Sequence, residues 1–168
     1  MDGARSPSLE IDILVEADGW AALPDAEALV RRAVAAALAE GAELEEDVTF
    51  EVSVTLTDDA RIRRINKDWR DKDKPTNVLS FPAAEVPDGV TPVPLGDIIV
   101  AFETVAAEAL DEDKALADHF THLIVHGTLH LVGFGHEDEE EAEEMEDTER
   151  HILAGLGISD PYALPAET

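Results

Sequence analysis

The sequence predicts an α+β fold: one domain built on a small mixed four-stranded sheet with about five helices, and a metal site at the end of a central buried helix. Three observations predict it. Four short stretches have strand character, five longer ones have helical periodicity, and the two kinds do not alternate in the strict order of a doubly wound parallel sheet. With 168 residues, 45% of them apolar, the chain is long enough for one proper core. No internal repeat or linker divides it, so residues 1–168 are expected to form a single domain with 1–7 and 163–168 as flexible tails.

Each element has its own signal. "LEIDILV" from Leu9 to Val15 alternates with period two, as a strand with one wet face does. Ala26 to Glu40 is rich in Ala and Leu, is preceded by Pro24 and Asp25, and stops at Gly41, which predicts a helix. "VTFEVSVTL" from Val48 to Leu56 alternates β-branched and polar residues, so it is a second strand. Thr57 or Asp58 then caps a short helix to about Asp68, with Ile62 and Ile65 turned inward.

"TNVLSF" from Thr76 to Phe81 predicts a short buried strand, and the proline-rich stretch up to Pro94 predicts a loop. A fourth strand is expected to start near Asp97, followed by a helix from Glu103 to Leu110. From Leu116 to Val132 the apolar residues are dense enough for a helix buried on most sides, ended by Gly133. The last helix runs from Asp138 to Gly155 with Ala142, Met145, Ile152 and Leu156 on one stripe.

Charge narrows the function. Against 12 Lys and Arg stand 39 Asp and Glu, a formal net charge of -27, which disfavours phosphate backbones and anionic membranes as partners of the whole surface. No cysteine is present, so thiolate metal sites, disulfides and cysteine nucleophiles are excluded, and any metal must sit on His, Asp or Glu. No N-terminal apolar segment or membrane span is evident, and the expected location is the cytoplasm.

Two charged tracts stand out. Ten acids lie between Glu137 and Glu149, and they are expected to form the solvated face of the last helix, favoured at its start by the helix dipole. Seven of the twelve basic residues, Arg61, Arg63, Arg64, Lys67, Arg70, Lys72 and Lys74, crowd into fourteen positions opposed only by Asp68, Asp71 and Asp73. Such an island either gives a polyanion one landing place or pairs with the abundant carboxylates.

"HGTLHLVGFGH" carries the chemistry. His126 and His130 are four apart on a helix, so their rings share a face and can share a metal. Gly133 and Gly135 let the chain turn back and bring His136 to the same point. The pattern H-x-x-x-H-x-x-G-x-x-H has the ligand spacing of metzincin zinc proteases, with Gly127 where their general-base glutamate stands. His122 shares the stripe but lies about 12 Å from His130 along the axis, too far for one ion, and is expected to play a supporting role. Three protein ligands leave an open position for water on a tetrahedral metal, which suits catalysis. Three imidazoles suit zinc, nickel, copper or cobalt.

These residues resemble the YbeY endoribonucleases, bacterial rRNA maturation factors. The likeness rests on "HGTLHLVGFGH" with the acids after it, on "WRDKDKPTNVLSF", on "LGDIIV" and on "LGISDPY", in the family's order over roughly residues 48 to 162. It implies a metal-dependent endonuclease for single-stranded RNA, acting in small-subunit rRNA 3′ end processing and ribosome quality control. It further implies one Zn2+ held by His126, His130 and His136 plus water, and places the family's functional arginine at Arg70. RNA then becomes the expected partner of the basic island, with Arg61, Arg64, Lys67, Lys72 and Lys74 as contacts; the small subunit or its proteins are the expected assembly. Family members usually carry Asp immediately before the third histidine, where this chain has Gly135, so that acid's task is expected either to be missing here or to pass to another acid such as Asp97 or Glu137. Two other readings of the same residues are a zinc metallopeptidase-like hydrolase, weakened by Gly127, and a non-catalytic metal-stabilised ribosome-assembly factor.

Overall fold

The computed structural model describes residues 8–41, 48–84, 86–87, 89–135 and 137–162. Its elements in chain order are β1 (Ser8–Val15), α1 (Ala26–Gly41), β2 (Thr49–Thr57), α2 (Asp59–Arg70), β3 (Val78–Pro82), β4 (Val93–Ala101), α3 (Phe102–Asp111), α4 (Leu116–Leu131) and α5 (Glu139–Gly155). A short 3-10 turn at Asp18–Ala22 precedes α1. The four strands form one sheet in the order β1-β2-β4-β3. β1, β2 and β4 run parallel, and β3 joins β4 antiparallel at the edge. The expected α+β class with a mixed four-stranded sheet and five helices is what the described residues adopt.

β4 begins at Val93, four residues before the expected start at Asp97. The prolines there argue for a loop because Pro cannot donate to a ladder. An irregularity accommodates Pro94: Glu51 pairs with Pro94 while Val52 pairs with Gly96, so the register shifts past Leu95. Gly96 has φ +143°, and a Cβ there would drive into the Phe81 carbonyl of β3.

The sheet has two unequal faces because side chains alternate along each strand. Val52, Val54, Leu56, Ile98 and Val100 face α1 and α4 and form the main core with Phe120, Ile124 and Leu129. Ile62 of α2 packs with Leu79 and Ala101 on the other face as a small second core. α4 is the central helix, with ten of its sixteen residues buried, and each fully buried Leu, Ile or Phe on it contributes roughly 1.5–3 kcal/mol. Contact with β4 is close at Gly127, where a Cβ would lie 3.3 Å from Ile98 Cγ2. Position 127 therefore points into the sheet, away from the faces that carry His126 and His130.

α2 is closed at both ends by its own sequence. Asp58 accepts from the Arg61 amide at 2.9 Å as N-cap. Asp71 takes a left-handed conformation, φ 57°, and its N–H returns to the Asn66 and Lys67 carbonyls. The buried Asn66 side chain donates to the Lys74 carbonyl at 2.9 Å, which ties the basic loop to the helix and fixes where Arg70 and Asn77 emerge. Among the described residues, no helix is long and apolar enough to cross a membrane.

Gly127→Glu is expected to place an unpaired carboxylate against Ile98, at a cost of several kcal/mol and enough to unfold a domain of ordinary stability. Gly127→Ala asks Ile98 to move by a few tenths of an ångström, and the gain of about 1 kcal/mol in helix propensity offsets much of that crowding. Thermal denaturation of the two variants checks this: near-parental melting for Ala, no cooperative transition for Glu.

Candidate functional site

A cleft of about 330 Å³ opens between the β3 edge and the exposed side of α4. Its walls include Arg70 from α2, Asn77 and Ser80 around β3, Glu108 from α3, and His119, His122, His126 and His130 from α4. Val78 and Ser80 turn toward this cleft, while Leu79 between them belongs to the second core. Residues expected from two separate stretches of sequence, Arg70 from one and His126 and His130 from the other, thus border one space.

The two imidazoles are oriented from behind. His126 Nδ1 donates to Glu149 Oε1 at 3.3 Å, and His130 Nδ1 donates to the Phe134 carbonyl at 3.0 Å. A carboxylate and a carbonyl only accept, so Nδ1 carries a proton in both rings, and Nε2 is the atom of each ring left to bind a cation, the proton shared between the two Nε2 atoms leaving as the cation enters. The two Nε2 atoms lie 3.0 Å apart. Two nitrogens bound at about 2.0–2.1 Å to one tetrahedral cation would be spaced about 3.3 Å apart, so the donor set fits a shared metal ion. The turn that presents the Phe134 carbonyl follows from Gly133, whose φ of +104° is open to glycine at little cost.

His136 lies outside the described residues, and among those described no group of three metal-binding side chains assembles.

Glu149 corrects the reading of the acidic tract as a wholly solvated face. It is fully buried on α5 and accepts from His122 Nε2 at 2.6 Å, from His126 Nδ1 at 3.3 Å and from the Tyr162 hydroxyl at 3.0 Å. The sequence held a signal for it: positions 145, 149 and 152 follow helical spacing between Met145 and Ile152, so an acid sits on the apolar stripe itself. Burial pushes its carboxyl up, but hydrogen bonds from His122 and His126, with the charge those rings carry when protonated, outweigh it and hold the pKa down to about 2. Burial and the same carboxylate push the Tyr162 hydroxyl well above its usual range, which keeps it a donor. His122 has the supporting place its spacing predicts, touching Glu149 rather than converging with the other pair.

Other expected residues are placed less uniformly. Arg61 sits at the far end of α2, its guanidinium donating to the Glu16 carbonyl at 2.6 Å and to Asp58 at 3.2 Å in a separate hollow. Arg63 pairs with Asp73 at 2.8 Å. Arg64, Lys67, Lys72 and Lys74 are exposed and, among the described residues, make no ion pair. The two acids in the cleft are matched locally: Glu108 accepts from Asn77 at 3.0 Å and His119 at 2.9 Å, and Glu112 pairs with Lys114 at 2.8 Å. Asp97 is exposed on the face of β4 opposite Ile98, so it does not meet the histidines, and Glu137 is exposed. A side chain at position 135 would instead meet Glu141, whose Oε2 would lie 3.6 Å from its Cβ.

Fold and cleft together define a class: a single α+β domain whose buried central helix presents paired imidazoles beside the basic end of another helix. The chain belongs to the Endoribonuclease YbeY family, which it matches over residues 18–157. An Endoribonuclease YbeY from Azorhizobium caulinodans is 69% identical over 95% of this chain and 99% of the relative. One from Agrobacterium fabrum is 53% identical over 93% of this chain and 96% of its own length. A solution structure of a Thermotoga maritima protein covers 92% of this chain and 99% of that one with a TM-score of 0.51 and 26% identity.

Glu149→Ala is expected to leave the partly buried His122 and His126 donors without their acceptor and to cost roughly 1–3 kcal/mol, with Glu149→Gln milder because one acceptor oxygen survives. A pKa lowered from 4.5 to about 2 means the folded state prefers the carboxylate. That stability is fully present above about pH 4.5 and is lost as pH falls toward 2. Chemical denaturation across that window should show a steeper acid loss for the parent than for Glu149→Gln; equal slopes would contradict the assignment.

Proposed function

We propose that this chain is a metal-dependent endoribonuclease that cuts single-stranded RNA, with rRNA at the 3′ end of the small subunit as substrate and a role in ribosome maturation and quality control in the cytoplasm. The observation that carries the reading is the pair of Nε2 atoms 3.0 Å apart in a cleft that Arg70 also lines. Family membership supports the reaction class, since the relatives bear the name endoribonuclease.

His126 and His130 would hold one Zn2+, with His136 as the third ligand. The chemistry supplied by the bound metal is polarisation of the phosphodiester and activation of water. Glu149 holds the His126 ring so that its lone pair faces the cleft, and the Phe134 carbonyl does the same for His130. Arg70 would bind the phosphate under attack and stabilise the negative charge that grows on it, as a guanidinium can through paired N–H donors. The peptidase reading is disfavoured by Gly127, because an acid at that position would face Ile98 in the sheet.

With an unstructured RNA as substrate, His126→Ala and treatment with a chelator are each expected to abolish cleavage. Arg70→Ala should lower kcat by about 10²–10³, the scale of losing one stabilising donor, and Arg70→Lys should restore only part. Cleavage that survives both His126→Ala and chelation would reject the proposal, and rRNA binding without any cleavage would favour an assembly factor.

A further inference from the structure

Trp69 stands next to Arg70 in the last turn of α2 and is 76% exposed. The chain's other tryptophan, Trp20, is 3% exposed, packed against Phe102 and Phe120 and donating to the Thr57 carbonyl at 2.9 Å. Leaving an indole in water forgoes the large apolar burial that makes tryptophan valuable in a core. Phe81 braces Trp69 from one side, with ring centroids 6.3 Å apart and a tilt of 59°. Phe81 is on edge strand β3, one residue beyond Ser80, which lines the cleft from the other face of the same strand. The exposed indole and the cleft are therefore neighbours across one strand edge.

The surroundings select the occupant. Lys67, Lys72 and Lys74 lie within five residues of Trp69, are exposed and make no ion pair among the described residues. In a chain of net charge -27, exposed lysines so near in sequence to an exposed aromatic ring favour a ligand that brings negative charge and a flat apolar face together. Single-stranded nucleic acid has both, as phosphates and stackable bases. We infer that Trp69 is a stacking platform for a nucleobase of single-stranded RNA, holding the nucleotide that flanks the phosphate at Arg70. This rests on the proposed endoribonuclease reading and adds to it a residue for substrate positioning. Trp69 and Arg70 have adjacent Cα atoms, about 3.8 Å apart, so base and phosphate are engaged by one rigid helix end. Arg61, at the other end of α2 and held by Glu16 and Asp58, takes no part.

The probe is a short single-stranded oligouridylate with 2′-O-methyl riboses, and its control is an abasic oligomer of equal length and charge. Intrinsic fluorescence reads binding directly, because Trp20 is buried and Trp69 is not. The base-bearing oligomer should quench the emission and the abasic one should not. Trp69→Ala should abolish the quench and weaken binding about tenfold, and Trp69→Phe should recover most of the affinity. On cleavable RNA, Trp69→Ala should raise KM about tenfold and leave kcat within about twofold, as loss of uniform binding does. Equal affinity of Trp69→Ala and parent, or equal binding of the abasic and base-bearing oligomers, overturns the inference and leaves Trp69 as a contact for a protein partner. Cleavage lost in His126→Ala alongside an unaffected Trp69→Ala would remove the stacking role and keep the nuclease. Oligomer binding that depends on Trp69, with no cleavage by any form, would do the reverse.

Discussion

One fully buried carboxylate organises the site. Glu149 is surrounded by donors from two other segments: His122 and His126 on α4, and Tyr162 beyond the end of α5. A buried charge is costly unless its hydrogen-bonding capacity is met, and here three donors meet it. The same contacts decide which ring nitrogen of His126 carries the proton and fix the packing of α5 on α4. Stability and site geometry are thus one interaction: a rotation of α4 that disturbed the His126 ring would also strand the Glu149 charge.

Much of this was legible in the sequence. Period-two alternation found β1 and β2, Gly41 and Gly133 marked helix ends, and the histidine spacing identified a shared helical face because i and i+4 residues must stack on one side. Arg70 was reached through resemblance of motifs, since no local rule says that the end of α2 should meet α4. What stayed hidden depended on long-range packing. Pro94 lies within β4 because β4 skips Leu95 in its pairing with β2, a fact about two strands that neither sequence shows alone. Glu149 was masked by its composition: nine other acids in the same tract do read as a solvated face, and only its register with Met145 and Ile152 distinguishes it.

Electrostatics divides the molecule in a similar way. A surface so acidic repels polyanions at long range, and binding must then be concentrated where cations are free of carboxylate partners. The structure sorts the basic island accordingly. Arg61 and Arg63 are tied to Asp58 and Asp73 and serve the helix and its loop. Arg70 lines the cleft at the helix end, and Trp69 beside it is exposed. Gly127 makes a comparable point for the central helix: its lack of a side chain lets α4 approach β4, so the position answers to packing rather than to proton transfer.

The account turns on two imidazoles locked by acceptors at Nδ1 so that both Nε2 atoms serve one cation. Nitrogen-15 spectra of the histidine side chains, taken on metal-free protein near neutral pH and again after one equivalent of zinc, test this most directly. The predicted result is a proton on Nδ1 of both His126 and His130 before and after zinc, with their Nε2 resonances shifted by zinc while the exposed His151 is unmoved. A bare Nδ1 in either ring, or a zinc response confined to His151, would contradict it.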